Sequence, residues 1–508
     1  MKINRIKNTK RNVFFGIINQ FVVIVLPFIV QTVTIRTLGI EYVGIKSLFS
    51  SILSVLSLTE LGIGSAIVYN MYKPIAEDDL TTIGILLNFY KRVYRIIGIL
   101  VIIIGVLLTP FLGYLIKGEY PVNLNLTLIF WLYVANTVVS YWMFAYKSSL
   151  LSAHQRTDVI SIVGVVVQTF VLIIQIIVLV VTNNFYYYLV SSIIGTVLNN
   201  IIISVCVDRM YPEIICKGHL SNELKKNIRS NVAGLLIGKV CGITRNTFDN
   251  IFMSMFLGLT QAAMYSNYYY ILSGLNGFTS IILTSLMAGV GNSIAIESKE
   301  KNYCQMMKLH TIYICISGWM AITMLCLYQP FMCLWVGTEY IFPQYIMITF
   351  PIYFFITKLG DIRMVYSDGA GLFWENRIRI ILEGISNIIL NYILVIKWGA
   401  FGIMLATIIT LFIFGFLGAT LVIFNCYFEH GMKEYLLNSI SYLVIMITLG
   451  AVFYSVSLWV NFQSMLAELI FEGVICCTVL PAILFLVCKQ RKDFREAFDW
   501  FKVILRKD

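Results

Sequence analysis

Long apolar runs dominate the chain, and each is long enough to cross a lipid bilayer. A spanning helix needs about 20 mostly apolar residues, because only an internally hydrogen-bonded segment satisfies its own backbone in hydrocarbon. About fourteen such segments are legible. They run roughly over 13–35, 42–70, 93–116, 124–150, 159–181 and 185–207. A second series covers roughly 231–257, 262–294, 309–336, 342–366, 378–397 and 399–425. A last pair lies at roughly 436–460 and 464–488. The fold class that follows is an all-α integral membrane protein. Composition agrees: 59% of residues are hydrophobic and 12% charged, with a mean hydropathy of +0.84. A soluble domain has no interior for that much apolar surface.

The segments are written twice. Asn12, Val13, Leu38-Gly39, Ser47, Ile52-Leu53-Ser54 and Leu56 return as Asn231, Val232, Leu257-Gly258, Ser266, Ile271-Leu272-Ser273 and Leu275. A second echo pairs Pro110-Phe111 with Pro330-Phe331, Glu119-Tyr120 with Glu339-Tyr340, and Tyr146 with Tyr366. Two homologous six-helix halves are the footprint of a transporter built from repeats. The expected organisation is a six-helix lobe over 1–207 and a cytoplasmic linker with an interfacial helix over 208–230. A second six-helix lobe over 231–425, an extra helix pair over 426–488 and a basic amphipathic tail over 489–508 follow.

Charge orients the array. Of 37 Lys and Arg residues, 29 fall in alternate connections that share a side with the N-terminal tail. Cytoplasmic loops carry such an excess, so both termini are expected in the cytoplasm. The net charge of +11 is spread over these connections, not clustered on a soluble domain, which argues against a nucleic-acid partner. Leu220, Leu224 and Ile228 in the linker share one helical face. So do Phe494, Phe498, Phe501 and Leu505 in the tail. Basic residues flank both faces, a pattern suited to anionic lipid.

Four basic residues fall inside predicted spans: Lys239, Arg245, Lys358 and Arg363. A charge at that depth faces a partner or a watery cavity. The seventh span adds Asn246, Asp249 and Asn250, and should line the space between the halves. Lys358 and Asp361 stand three apart, and Arg245 and Asp249 four apart, so each pair meets on a helix face. Glu60 and Glu383 are further acidic residues at depth. Arg36 and Lys46 lie at the outer mouth, where they greet an anionic group or snorkel to water. The tyrosines at 265 and 268–270 stack on sugars or mark the membrane interface. Basic residues facing a shared cavity suggest an anionic substrate.

Other chemistries find little support. No GxxxxGK[ST] loop is present, and the loops are too short for a nucleotide-binding domain. The four histidines are dispersed and the eleven cysteines scattered, so no metal site or cofactor is expected. No nucleophile has a visible base, and the acids of the longest loop are scattered, so an enzyme is not expected. A membrane-embedded polymerase or glycosyltransferase, the alternative of a different class, should carry a sizeable extramembrane loop with clustered carboxylates or Arg.

Two stretches carry a family resemblance. Leu38-Gly39-Ile40-Glu41-Tyr42-Val43-Gly44-Ile45 with Leu58-Thr59-Glu60-Leu61-Gly62-Ile63-Gly64-Ser65-Ala66 resembles the first two helices of bacterial polysaccharide flippases. Asp249-Asn250-Ile251-Phe252-Met253-Ser254-Met255-Phe256-Leu257-Gly258 with Tyr265-Ser266 resembles the start of their second half. The superfamily also holds lipid II flippases and multidrug and toxic-compound extrusion (MATE) antiporters. The resemblance implies a MATE-like arrangement in the cytoplasmic membrane of a bacterium. It implies movement of undecaprenyl-diphosphate-linked oligosaccharide to the outer leaflet for O-antigen, capsule or related polymers, with polysaccharide polymerase machinery as a partner. By position and charge, Lys239, Arg245, Asn246, Asn250, Lys358, Arg363, Arg36 and Lys46 would then bind substrate. Glu60, Asp249, Asp361 or Glu383 would couple H+ or Na+. A drug–cation antiporter and a lipid II flippase are the alternatives of the same fold.

Overall fold

The computed structural model describes residues 5–57, 63–118, 120–121, 124–220, 247–459, 462 and 464–505. Among them every regular element is helical. Among the described residues ten helices are long and apolar enough to cross a membrane, or eleven when the bent pair Leu126–Trp142 and Ala145–Ala153 is one span.

Two compact units form, Met1–Ala263 and Met264–Asp508. The first holds α1 (Arg5–Thr37), α2 (Ile40–Leu56), α3 (Ile63–Ala76), α4 (Leu80–Leu108) and α5 (Leu126–Trp142). It continues through α6 (Ser148–Ala153), α7 (Thr157–Thr182), α8 (Phe185–Met210) and a helix described from 247 to 257, α9. Helix α7 packs on α1 and α8, while α5 packs on α2, α4 and α8. The predicted span 42–70 is divided into α2 and α3 on either side of 58–62, which lie outside the described residues. After Met210 the chain leaves helical geometry. The Gly218 carbonyl accepts from Asn88 Nδ2 at 2.9 Å, and Leu220 is buried in the unit's core. The remainder of the expected linker helix, 221–230, lies outside the described residues.

The second unit begins within α10 (Leu259–Ile296) and is built around α11 (Lys299–Val336). A broken span follows: α12 (Gln344–Met347), α13 (Thr349–Leu359) and α14 (Asp361–Gly369). Helix α15 (Arg377–Thr410) reverses at Gly399, whose φ is 57°, so the expected spans 378–397 and 399–425 stand as an antiparallel hairpin. Asn387 Nδ2 donates across it to Thr407 Oγ1 at 3.1 Å. Its second arm passes through wide π-type turns at Leu411–Gly418 and Phe424–Phe428, separated by α16 (Ala419–Ile423). Then come α17 (Met432–Ser457), α18 (Met465–Lys489) and the tail helix α19 (Lys492–Leu505), all three packed against α11.

The sequence doubling reaches the backbone. Gly39 (φ 110°) precedes α2, and its repeat partner Gly258 (φ 93°) precedes α10. Both take a left-handed conformation that costs glycine nothing and other residues much. The tail departs from its expected surroundings. Phe494 and Ala497 are buried, and Phe494 and Phe498 close on Phe485 of α18. The first part of its apolar face, Phe494 to Phe498, is turned onto α11 and α18, while Phe501 stays exposed.

Candidate functional site

In the first unit the polar residues converge on the contact between α2 and α9. Ser47, one α-helical turn before Ser51, faces the same side of α2. Asn250 Nδ2 donates to Ser51 Oγ at 2.9 Å, and Ser47 Oγ donates to Asn250 Oδ1 at 3.2 Å. Asp249, beside it, is buried. Just beyond α9, the Leu259 carbonyl lies so close to Gly44 that a Cβ there would overlap it. Ser254 Oγ donates to the Leu115 carbonyl at 2.8 Å, tying α9 to the end of the α4 span. Arg36 is exposed in the last turn of α1. Lys46 is half-buried, with its ammonium 5.7 Å from the Tyr188 ring centroid. Glu60, Lys239, Arg245 and Asn246 lie outside the described residues.

The second unit holds three buried charge clusters. Lys358 Nζ bonds Asp361 Oδ2 at 3.1 Å across the α13–α14 break, and Tyr313 of α11 donates to the same oxygen at 2.6 Å. Arg363, buried, donates to the carbonyls of Gly415 (2.9 Å) and Phe416 (2.7 Å) and to Thr420 Oγ1 (2.9 Å). Those carbonyls belong to the wide turn of the hairpin, where the ordinary helical donor is out of register. Glu383 accepts from Arg379 at 2.9 Å, one helical turn earlier. Chemically, Lys358–Asp361–Tyr313 is a neutral pair with one hydrogen-bond donor added. Arg363 and Glu383 sit in structural bonds.

The sequence reading paired Lys358 with Asp361 but did not single out Tyr313, Ser51 or Arg379. The Arg379–Glu383 spacing of four, both within the span 378–397, is the signal that finds this pair. Tyr313 had none, since it comes from a distant helix. The aromatic run resolves into core: Tyr268 and Tyr265 are buried, and Tyr268 packs on Tyr328, Phe342 and Phe350. His310 also lies inside, on α11, with Nε2 2.9 Å from Ser439 Oγ. Among the described residues no group of three or more His, Cys, Asp or Glu side chains is arranged to hold a metal ion.

A family model described as polysaccharide biosynthesis protein matches residues 9–288, more than half of the chain. No curated protein matches in sequence. Solved structures do match in fold. An inward-facing multidrug resistance MATE family transporter of the MOP superfamily has a TM-score of 0.60 at 14% identity, covering 81% of this chain and 94% of its own. The lipid II flippase MurJ, in an inward closed conformation, also has a TM-score of 0.60 at 14% identity, covering 94% of this chain and 99% of its own. A MOP superfamily transporter from Pyrococcus furiosus, whose binding pocket is described as of reverse polarity, has a TM-score of 0.55 at 13% identity, covering 84% and 96%.

Proposed function

The chain belongs to the family of polysaccharide biosynthesis proteins, and from that premise we propose that it is a flippase for lipid-linked oligosaccharide. It carries undecaprenyl-diphosphate-linked units from the inner to the outer leaflet of a bacterial cytoplasmic membrane, with both termini in the cytoplasm. The single observation that carries the reading is the family match over residues 9–288, nearly all of the first unit and most of α10. The extent of the fold likeness supports it. The lipid II flippase covers 94% of this chain, against 81% for the multidrug transporter.

Lys239, Arg245 and Asn246 bind the diphosphate, with Asn250 held ready by Ser47 and Ser51. Glu60, Asp249 and Asp361 are the candidates for ion coupling. Asp361 is the candidate whose described partners are a lysine and a tyrosine. Protonating it weakens its hold on Lys358, and an ammonium freed at that depth seeks an anion. Alternating access then follows from one half rocking against the other, driven by an ion gradient or the membrane potential. Polysaccharide polymerase machinery takes the units at the outer face.

The test uses a strain lacking the protein. The lipid-linked oligosaccharide is expected to accumulate on the inner face, with ethidium efflux unchanged. Normal lipid distribution with lost efflux would assign the chain to the drug antiporters, and accumulated lipid II to the peptidoglycan branch.

A further inference from the structure

One end of the first unit carries an open recess of about 500 Å³, within the range of ligand pockets, roughly 300–1,000 Å³. It lies where α4 runs out into the 3₁₀ turn Thr109–Leu115 and where α5 and α8 begin. Thr109, Gly113, Tyr120, Asn125, Thr127 and Tyr186 line it, with three leucines at its floor. Among the described residues no lining side chain is charged.

The polar groups are held in fixed roles. Asn125 caps α5: its Oδ1 accepts from the Leu128 N–H at 3.0 Å, which leaves its NH₂ edge as a donor. Tyr186 Oη accepts from the Asn125 N–H at 2.8 Å, so its own proton is available. Thr109 Oγ1 donates to the Gly105 carbonyl at 2.8 Å and keeps its lone pairs for an incoming hydroxyl. Tyr120 and Thr127 are exposed at the rim. Neutral donors and acceptors beside tyrosine rings match a sugar, whose hydroxyls both give and take hydrogen bonds and whose C–H faces lie flat on aromatic rings. Among the described lining residues an anion would find no cation, and an organic cation no carboxylate.

The repeat shows that this opening is not forced by the fold. At the same register in the second unit Thr109 becomes Gln329 and Thr127 becomes Met347. Gln329 spans inward, accepting from Tyr268 at 2.9 Å and donating to the Phe342 carbonyl at 2.8 Å. Met347 and Phe342 are fully buried there. One copy of the motif is packed shut and the other is left open and polar.

The geometry points to a saccharide-binding subsite in this recess, which takes a neutral sugar ring of the translocated unit at the outer end of the first lobe. This rests on the flippase reading for its orientation and its ligand. It adds a glycan contact remote from the diphosphate, and so a place where one sugar sequence is preferred over another.

The test measures alkylation of Thr127→Cys in the full-length protein in lipid nanodiscs, followed by mass spectrometry of the peptide that bears it. The probe is the glycan released by mild acid from the host's polyprenyl diphosphate fraction. Occupancy slows alkylation by one plus the ratio of concentration to Kd, about tenfold when the glycan is at ten times its Kd. A Cβ on Gly113 meets nothing within 4 Å, so Gly113→Trp fills the recess without disturbing its walls. Protection is expected, lost with Gly113→Trp and kept with Gly113→Ala. Equal rates with and without glycan overturn the assignment. So does a cysteine shielded in nanodiscs but reactive in detergent, since a lipid then fills the space. The leaflet assay reads the flippase separately. Inner-face accumulation with an unprotected cysteine removes only the recess, and protection with normal lipid distribution removes only the flippase.

Discussion

Arg363 shows what a charge inside a membrane protein does when its partners are in reach. It reads in sequence as a cation facing substrate, yet its guanidinium reaches two backbone carbonyls and a hydroxyl. The wide turn at Leu411–Gly418 turns the Gly415 carbonyl toward Arg363, while the Phe416 carbonyl also accepts from Thr420 Oγ1 at 2.7 Å, and sequence does not display a π-type turn. Arg363→Met should strand the Gly415 carbonyl, at about 1–3 kcal/mol for a buried group left unpaired. The melting temperature of the solubilised protein is expected to fall markedly. Arg363→Lys should recover part of it, because an ammonium lacks the planar fork. Unchanged melting with lost export would make Arg363 a substrate ligand instead. Gly44 is a second residue-scale case. Any Cβ there enters the Leu259 carbonyl, so Gly44→Ala must push α9 and α10 away from α2. Loss of stability is expected, measured by the same melting curve, with Ser50→Ala on the exposed side of α2 as the neutral control. The Asn250 network nearby was half legible: Asn250 stood out by its depth, while Ser47 and Ser51 looked like ordinary helix serines.

The elements were more readable than their surroundings. Long apolar runs fix where helices lie, because lipid leaves a backbone no other choice. The turn at Gly399 fell at the first residue of the expected span 399–425, where a Trp-Gly break between two apolar runs marks a reversal. What a helix packs against is another matter. The tail helix has one apolar face, and sequence cannot say whether protein or lipid covers it. Arg491 and Asp493 decide the docking. Asp493 accepts from Arg491 at 3.0 Å and from Asn438 of α17 at 2.8 Å, and Arg491 lies over the Tyr442 ring. Burial raises the Asp493 pKa, but the Arg491 guanidinium and the Asn438 amide outweigh it and hold the carboxyl below its usual range. A carboxylate with a depressed pKa stabilises above its unfolded value and loses that contribution as pH falls through the folded one, here below about pH 4. The tail is therefore docked throughout the neutral range. Asp493→Asn should release it at pH 7, with hydrogen exchange over 492–502 faster by about tenfold for each 1.4 kcal/mol lost. Exchange at the wild-type rate would show that the phenylalanines alone hold it.

At the scale of the whole chain, the doubling was legible because Gly, Pro and Asn repeat in register, while the use of the last two spans was not. They look like an appendage to a twelve-helix transporter. The second unit treats them as part of its core. Trp319 of α11 donates to the Cys476 carbonyl of α18 at 2.7 Å, and a Cβ on Gly318 would enter the Met446 side chain of α17. Between lipid-bathed helices no hydrophobic effect drives association, so packing and polar bonds of this kind supply the adhesion. Ending the chain after Gly431 would strip α11 of α17, α18 and α19 together, and would leave His310 facing hydrocarbon without Ser439. A buried polar group without a partner costs about 1–3 kcal/mol by mutational measures. The prediction is that the truncated protein, fused to a fluorescent reporter, aggregates in size-exclusion chromatography and exports no polymer. His310→Phe in the full chain, which fills the same space without the polar demand, should elute as a single sharp peak. A truncated chain that elutes sharply, melts like the full one and still exports would make the pair an accessory, and the transporter a twelve-helix core.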